Sequence, residues 1–145
     1  IVDLAWQDQL QRGGSPGHLN PDLVTFADSP GNSSHSRFVM GDDEHRVVKI
    51  GQHLSLDHVH GEFIGMAMFS EKGTQTLKDC YRSSQERYKS TGFHEASSVS
   101  KASFTDLIQE VIDQGHRVDA VPIFKGWMEV DSFEEYQKAW SRIRQ

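Results

Sequence analysis

The sequence holds one cysteine, Cys80, in 145 residues. A lone thiol excludes an internal disulfide framework of the kind that staples small secreted domains. A basic excess is also missing: Lys and Arg number 15 against 21 Asp and Glu, a net charge of −6. That balance argues against a nucleic-acid partner held by phosphate neutralisation. No apolar run approaches the roughly 18 residues that a membrane span requires. The opening Ile1-Val2-Asp3-Leu4 has no basic-then-apolar signal layout. A cytoplasmic protein with no nucleic-acid or membrane partner is therefore expected. Neither a GxxxxGK(S/T) loop nor a GxGxxG turn after a strand occurs, so two common phosphate-binding signatures are absent. Nor is there an internal repeat, a low-complexity tract or a convincing linker, and residues 1–145 are read as one domain. The first residue is not Met, and Ile1-Val2-Asp3-Leu4-Ala5-Trp6 reads like the end of a buried strand, which predicts a chain cut or processed from something longer.

What is present suffices for a core. Hydrophobic residues make up 36% of the chain, with three Trp, three Tyr and eight Phe, a content that disordered chains do not carry. Residues 11–36 are rich in turn formers around Leu23-Val24-Thr25-Phe26. They predict a short strand inside either a surface loop or a flap over a site. Arg37–Met40 and Arg46–Ile50 flank Gly41-Asp42-Asp43-Glu44, a hairpin signal. Gly61–Phe69 is short and almost continuously apolar, which predicts a strand buried on both faces. A largely polar helix is expected from about Gly73 to Tyr88, with Leu77, Tyr81 and Tyr88 on its face.

Ser103 with Asp106 forms an approximate capping box. Phe104, Leu107, Ile108, Val111 and Ile112 then share one helical stripe, which Gly115 ends. Arg117–Phe124 reads as a strand that Pro122 places at an edge or end. A last helix starts at Ser132, with Phe133, Tyr136, Trp140 and Ile143 on one face and Arg142 and Arg144 in its final turn. Alternating strands and helices in the second half predict an α/β fold.

Two constellations carry possible chemistry. On an extended strand His58, His60 and Glu62 project to one face, where two imidazoles and a carboxylate suit zinc; the competing reading is a polar loop entering the strand at Gly61. Between the Arg117–Phe124 strand and the last helix, Glu129 and Asp131 share a face if the strand continues. Strand ends of open α/β sheets are where ligands bind, and carboxylates there suit Mg2+. Alternatively Asp131 is a helix-capping acid. Cys80, in a helix with Lys78 and Arg82 nearby, reads as a structural or incidental thiol. Trp6, Tyr81, Tyr88 and Trp127 are either core aromatics or a cage for a quaternary ammonium.

Three motifs resemble, in order and with suitable gaps, the small nucleotidyltransferases of the MobA-like and LicC-like kind. Val2-Asp3-Leu4-Ala5-Trp6 is similar to their V-D-x-x-W strand. Gly61-Glu62-Phe63-Ile64-Gly65 with Phe69-Ser70-Glu71-Lys72-Gly73 is similar to their central strand and its exit. Trp127-Met128-Glu129-Val130-Asp131-Ser132-Phe133-Glu134-Glu135-Tyr136 is similar to their closing W-x-E-(I/V)-D-(S/T)-x-E-(D/E)-Y signature. Relatives include cytidylyltransferases that activate phosphocholine, 2-aminoethylphosphonate and hydroxyethylphosphonate, some fused behind a phosphoenolpyruvate mutase domain.

The resemblance implies a Rossmann-like α/β sandwich with a mixed sheet. It implies attack of a phosphate or phosphonate oxygen on the α-phosphorus of a nucleotide, CTP being expected, with release of pyrophosphate and with Mg2+ offsetting charge. It puts the metal carboxylate and catalytic role on Asp131, with Glu129 as the adjacent candidate. Glu62 faces the acceptor pocket or metal region, and Trp127 and Lys125 join it on the substrate side. The family's opening A-G-x-G-x-R loop and first metal Asp have no counterpart in this sequence. The chain thus resembles a C-terminal half that supplies the acceptor side and one metal carboxylate. An N-terminal domain, fused or in contact, is expected to bind the nucleotide; this piece alone is expected to lack that binding, and an oligomer is compatible. Two other expectations stand beside this one: a non-catalytic ligand- or partner-binding module of the same fold, and a zinc enzyme using His58, His60 and Glu62.

Overall fold

β-rich runs separated by turn formers, followed by capped amphipathic segments, build a mixed sheet with helices packed on it. A computed structural model of the chain describes residues 23–28, 37–42, 46–55, 57, 59–122, 130 and 132–143. The strands β1 (Leu23–Asp28), β2 (Phe38–Gly41), β3 (Val47–Gly51), β4 (Gly61–Phe69) and β5 (Asp119–Pro122) form a five-stranded sheet in the order β3-β2-β4-β1-β5. The α-helices among the described residues are α1 (Glu71–Arg87), α2 (Phe104–Asp113) and α3 (Phe133–Ile143), with a short 3-10 turn at Val99–Lys101. β1 is parallel to β5 and antiparallel to β4, and β2 is antiparallel to both β3 and β4, so the sheet is mixed.

The Leu23–Phe26 segment does form a strand, which runs on to Asp28 and lies inside the sheet between β4 and β5; residues 11–22 and 29–36 lie outside the described residues. The β2–β3 hairpin closes as its turn chemistry predicts. Asp42 donates its N–H to the Arg46 carbonyl at 2.9 Å and accepts the Arg46 N–H on Oδ1 at 2.9 Å. β5 sits at an edge, where Pro122 breaks no ladder on its open side.

The expectation that β4 is buried on both faces is corrected. Only Gly61 and Glu62 are fully buried, Gly65 is exposed and the others are half-buried. The reason is a bulge. Thr25 pairs with Ala67 and Ala27 with Phe63, so Ile64, Gly65 and Met66 stand opposite Phe26 alone. Gly65 has φ +79°, a left-handed conformation that only glycine adopts without strain.

Ser103 and Asp106 make a full capping box at the start of α2, and the apolar stripe turns inward. Ile108 and Val111 join Val39, Val47, Ile50, Cys80 and Val118 in the core, flanked by Phe63, Phe69, Leu77, Leu107, Ile112 and Ala120. Phe104 remains 43% exposed but meets Phe69 edge-on at 5.9 Å. α1 buries Gly73, Cys80 and Ser84, with Leu77 half-buried and Tyr81 exposed. The aromatic face of α3 is regular but outward: Phe133, Tyr136 and Trp140 stack at 6.2 and 6.3 Å while 72%, 50% and 48% exposed. Val47 donates its N–H to the Val118 carbonyl at 2.8 Å, and Arg46 bridges Asp119, so the starts of the two edge strands meet.

Candidate functional site

Register alone assembles one end of the sheet. Gly51 of β3 pairs with Phe38 of β2, Phe38 with Glu62 of β4, and Glu62 with Asp28 of β1. Ala27, beside Asp28, pairs with Pro122, the last residue of β5. This row therefore contains the carboxyl ends of the parallel pair β1 and β5 and the amino end of β4. Glu62 is 6% exposed within it. Phe63 fixes the strand start by donating its N–H to the Arg37 carbonyl at 2.7 Å.

The chain leaves β5 at this end and continues towards the residues singled out by sequence. Lys125, Trp127, Glu129 and Asp131 lie outside the described residues. What can be placed is their point of departure, Pro122, in the neighbourhood of Glu62. The last helix that follows them is capped: Ser132 Oγ accepts the Glu135 N–H at 3.2 Å, and Glu135 Oε2 accepts the Ser132 N–H at 2.9 Å. That reciprocal pair supplies the cap from Ser132 itself.

Of the alternative zinc group, His58 lies outside the described residues. His60 is exposed, and its Nδ1 accepts the Gly41 N–H at 3.1 Å. Of the aromatic group, Trp6 and Trp127 lie outside the described residues, Tyr81 is exposed and Tyr88 is tied to Glu110. Cys80 is 3% exposed, and burial first, then the Glu110 charge, push its thiol up to about 11. It is a core thiol.

A polar network that the motifs did not point to joins α1, α2 and the loop between them. Glu110 is 2% exposed and takes hydrogen bonds on both oxygens. Oε1 accepts from Arg87 Nη1 and Gln114 Nε2 at 3.0 Å each, and Oε2 accepts from Tyr88 Oη at 3.1 Å and lies 2.9 Å from His94 Nε2. Burial works to raise its pKa, but the bonds from Gln114, His94 and Tyr88 outweigh it, and the carboxyl stays below its ordinary range. The Tyr88 hydroxyl is pushed up by burial and by Glu110.

The same loop is pinned at Glu95. Its carboxylate accepts the N–H groups of Gln52 and His53, and its own N–H goes to Asp106 Oδ1 at 3.0 Å. No sequence signal marked this network: Glu110 lies off the apolar stripe of its helix and is buried all the same, and a buried acid requires partners. Its partners come from distant segments and carry no local signature.

No protein-family model matches this sequence, and no curated protein matches it. Solved structures do match. The inositol-1-phosphate CTP transferase from T. maritima aligns over 94% of this chain and 51% of its own, with 17% identity and a TM-score of 0.61. The fold is nucleotidyltransferase-like. The nucleoside-diphosphate-sugar pyrophosphorylase from Vibrio cholerae RC9 aligns over 92% of this chain and 50% of its own, with 13% identity and a TM-score of 0.59. The chain thus spans about half the length of each of these two structures. Among the described residues no helix is long and apolar enough to cross a membrane.

Proposed function

We propose that this chain contributes the acceptor side and one metal carboxylate of a nucleotidyltransferase. The reaction is transfer of NMP, from CTP in the first instance, to a phosphate or phosphonate acceptor such as phosphocholine or an aminoalkyl or hydroxyalkyl phosphonate. The acceptor oxygen forms a bond to the α-phosphorus as the bond to pyrophosphate breaks. The observation that carries the reading is that β5 exits at Pro122, at the sheet end where Glu62 is buried. Carboxyl ends of parallel strands are where ligands of α/β sheets bind. The likeness to two nucleotide-handling folds supports the same reading.

In this account Glu62 orients the acceptor, and Lys125 and Trp127 bind it. Lys125 would neutralise the acceptor's phosphate or phosphonate, and Trp127 would offer a face to an alkylammonium group. Glu129 and Asp131 present the hard oxygen donors that Mg2+ prefers, and Asp131 would be its principal ligand. Mg2+, when bound, offsets the phosphate charge. Nucleotide binding is assigned to an N-terminal domain.

The test uses the protein in its complete natural reading frame. It is incubated with each of the four ribonucleoside triphosphates and each of phosphocholine, 2-aminoethylphosphonate and hydroxyethylphosphonate. Mg2+-dependent pyrophosphate release with one pair is expected, and Glu62→Gln should raise KM for the acceptor. Acceptor binding with no pyrophosphate from any nucleotide would replace transfer with a non-catalytic ligand-binding role.

A further inference from the structure

We propose that His94 and Asp113, with Glu110 behind them, form a binding site for a borderline transition-metal ion such as Zn2+, separate from the sheet-end site. His94 Nε2 lies 2.9 Å from Glu110 Oε2. An ionised carboxylate only accepts, so this nitrogen carries the hydrogen, and the metal-binding form of the ring, the neutral one, has its lone pair on Nδ1. Nδ1 lies 3.9 Å from Asp113 Oδ2. The separation is too long for a hydrogen bond. It suits an imidazole nitrogen and a carboxylate oxygen sharing one ion, since zinc bonds of about 2.0–2.2 Å place two ligand atoms about 3–4 Å apart.

Both ligands are held from behind. Glu110 orients His94 in the carboxylate–histidine arrangement found behind metal-bound imidazoles, and is itself fixed by Arg87, Tyr88 and Gln114. Gln109 Nε2 donates to the other oxygen of Asp113 at 2.7 Å, and Gln109 Oε1 is locked by the Ile50 N–H at 2.8 Å. The ring is aimed by its backbone. His94 has φ +50°, a costly conformation for a residue with a side chain. It is held there by buried Phe93 on one side and by the Glu95 anchor on the other. Donor atoms of His94, Glu110 and Asp113 all lie within 4.8 Å of one another. The Asp113 side chain is 53% exposed and that of His94 17%, which leaves a route from solvent. The nitrogen ligand selects Zn2+, Co2+ or Ni2+ over Mg2+, and positions not filled by protein are left for water.

The test does not depend on nucleotidyl transfer. The purified full chain is titrated with Zn2+ by calorimetry and with Co2+ by visible absorption, with Mg2+ for comparison. One equivalent of Zn2+ is expected, with a rise in Tm. His94→Gln and Asp113→Asn should each weaken binding about tenfold or more, while His60→Gln leaves it unchanged. Asn at this position keeps an oxygen for the Gln109 bond, so Asp113→Asn removes the charged ligand while leaving that structural contact in place. Binding no stronger than that of Mg2+, or one-equivalent Zn2+ binding that survives either the His94 or the Asp113 substitution, overturns the proposal.

Discussion

Glu95 clasps Gln52 across 43 positions of sequence, its two carboxylate oxygens 2.9 and 2.8 Å from the Gln52 N–H nitrogen. The His53 N–H joins at 2.8 Å. The clasp ties the α1–α2 loop to the exit of β3, at the sheet end that carries Glu62. A Cβ on Gly51 would lie 2.8 Å from Glu95 Oε1, so a side chain there pushes the carboxylate away from its present position. Glu95→Ala is expected to cost about 1–2 kcal/mol, the low side of what hydrogen bonds to a charged group contribute, because the site is exposed. Gly51→Ala should cost a similar amount by displacing the same carboxylate. In the double variant the two costs should not add, which a double-mutant cycle in urea measures. Full additivity would mean that the clasp does not exist in solution.

Asp106 does more than cap its helix. Its Oδ2 accepts from the Ser103 N–H and hydroxyl, each at 2.7 Å, and its Oδ1 accepts the Glu95 N–H. Ser103→Ala removes one cap and is expected to cost about 1 kcal/mol. Asp106→Ala also releases the loop and should cost about 2–3 kcal/mol. Chemical denaturation orders the two variants; equal costs would remove the loop-anchoring role.

Glu110 predicts a pH dependence. Its folded pKa lies below its ordinary value of 4.5, because the bonds from Gln114, His94 and Tyr88 overcome burial. The folded state therefore holds fewer protons than the unfolded chain over that interval, and stability falls with falling pH. The contribution is complete above 4.5 and is lost as pH drops through the lower folded value. Glu110→Gln should be least stable relative to the parent at neutral pH, and the gap should narrow on acidification below 4.5. Denaturation midpoints from pH 7 to 3 measure it. A gap that widens at low pH would contradict the sign.

Cys80 should be inert in the native protein. It is buried, and burial with the Glu110 charge pushes its thiol up to about 11. Only a minute thiolate fraction exists at pH 8, behind packed side chains. Labelling by a disulfide reagent at pH 8 should be slow in buffer and fast in urea; equal rates would contradict the core placement.

Local signals in the sequence carried most of the elements. The β2–β3 turn, the Ser103–Asp106 cap, the α2 stripe and the edge position implied by Pro122 each depend on residues within a few positions of one another. The bulge in β4 was also written locally, in Gly65 within an apolar run, but it altered the burial expected of that strand. Glu95, His94 and Glu110 were not legible, because their partners lie at Gln52, Arg87 and Tyr88 on other elements. The outward aromatic face of α3 shows the converse limit: helical spacing fixes which residues align, not what they meet. Glu62 was named from its motif, and only strand register placed it opposite Asp28 and near the exit of β5.

The most direct test of the sheet-end site is the rate of Mg2+-dependent pyrophosphate release by the protein in its complete reading frame, with its preferred nucleotide and acceptor, before and after Asp131→Ala. The account predicts a fall in kcat of about 100-fold or more, with an unchanged denaturation midpoint. An unchanged kcat in the folded variant would contradict it.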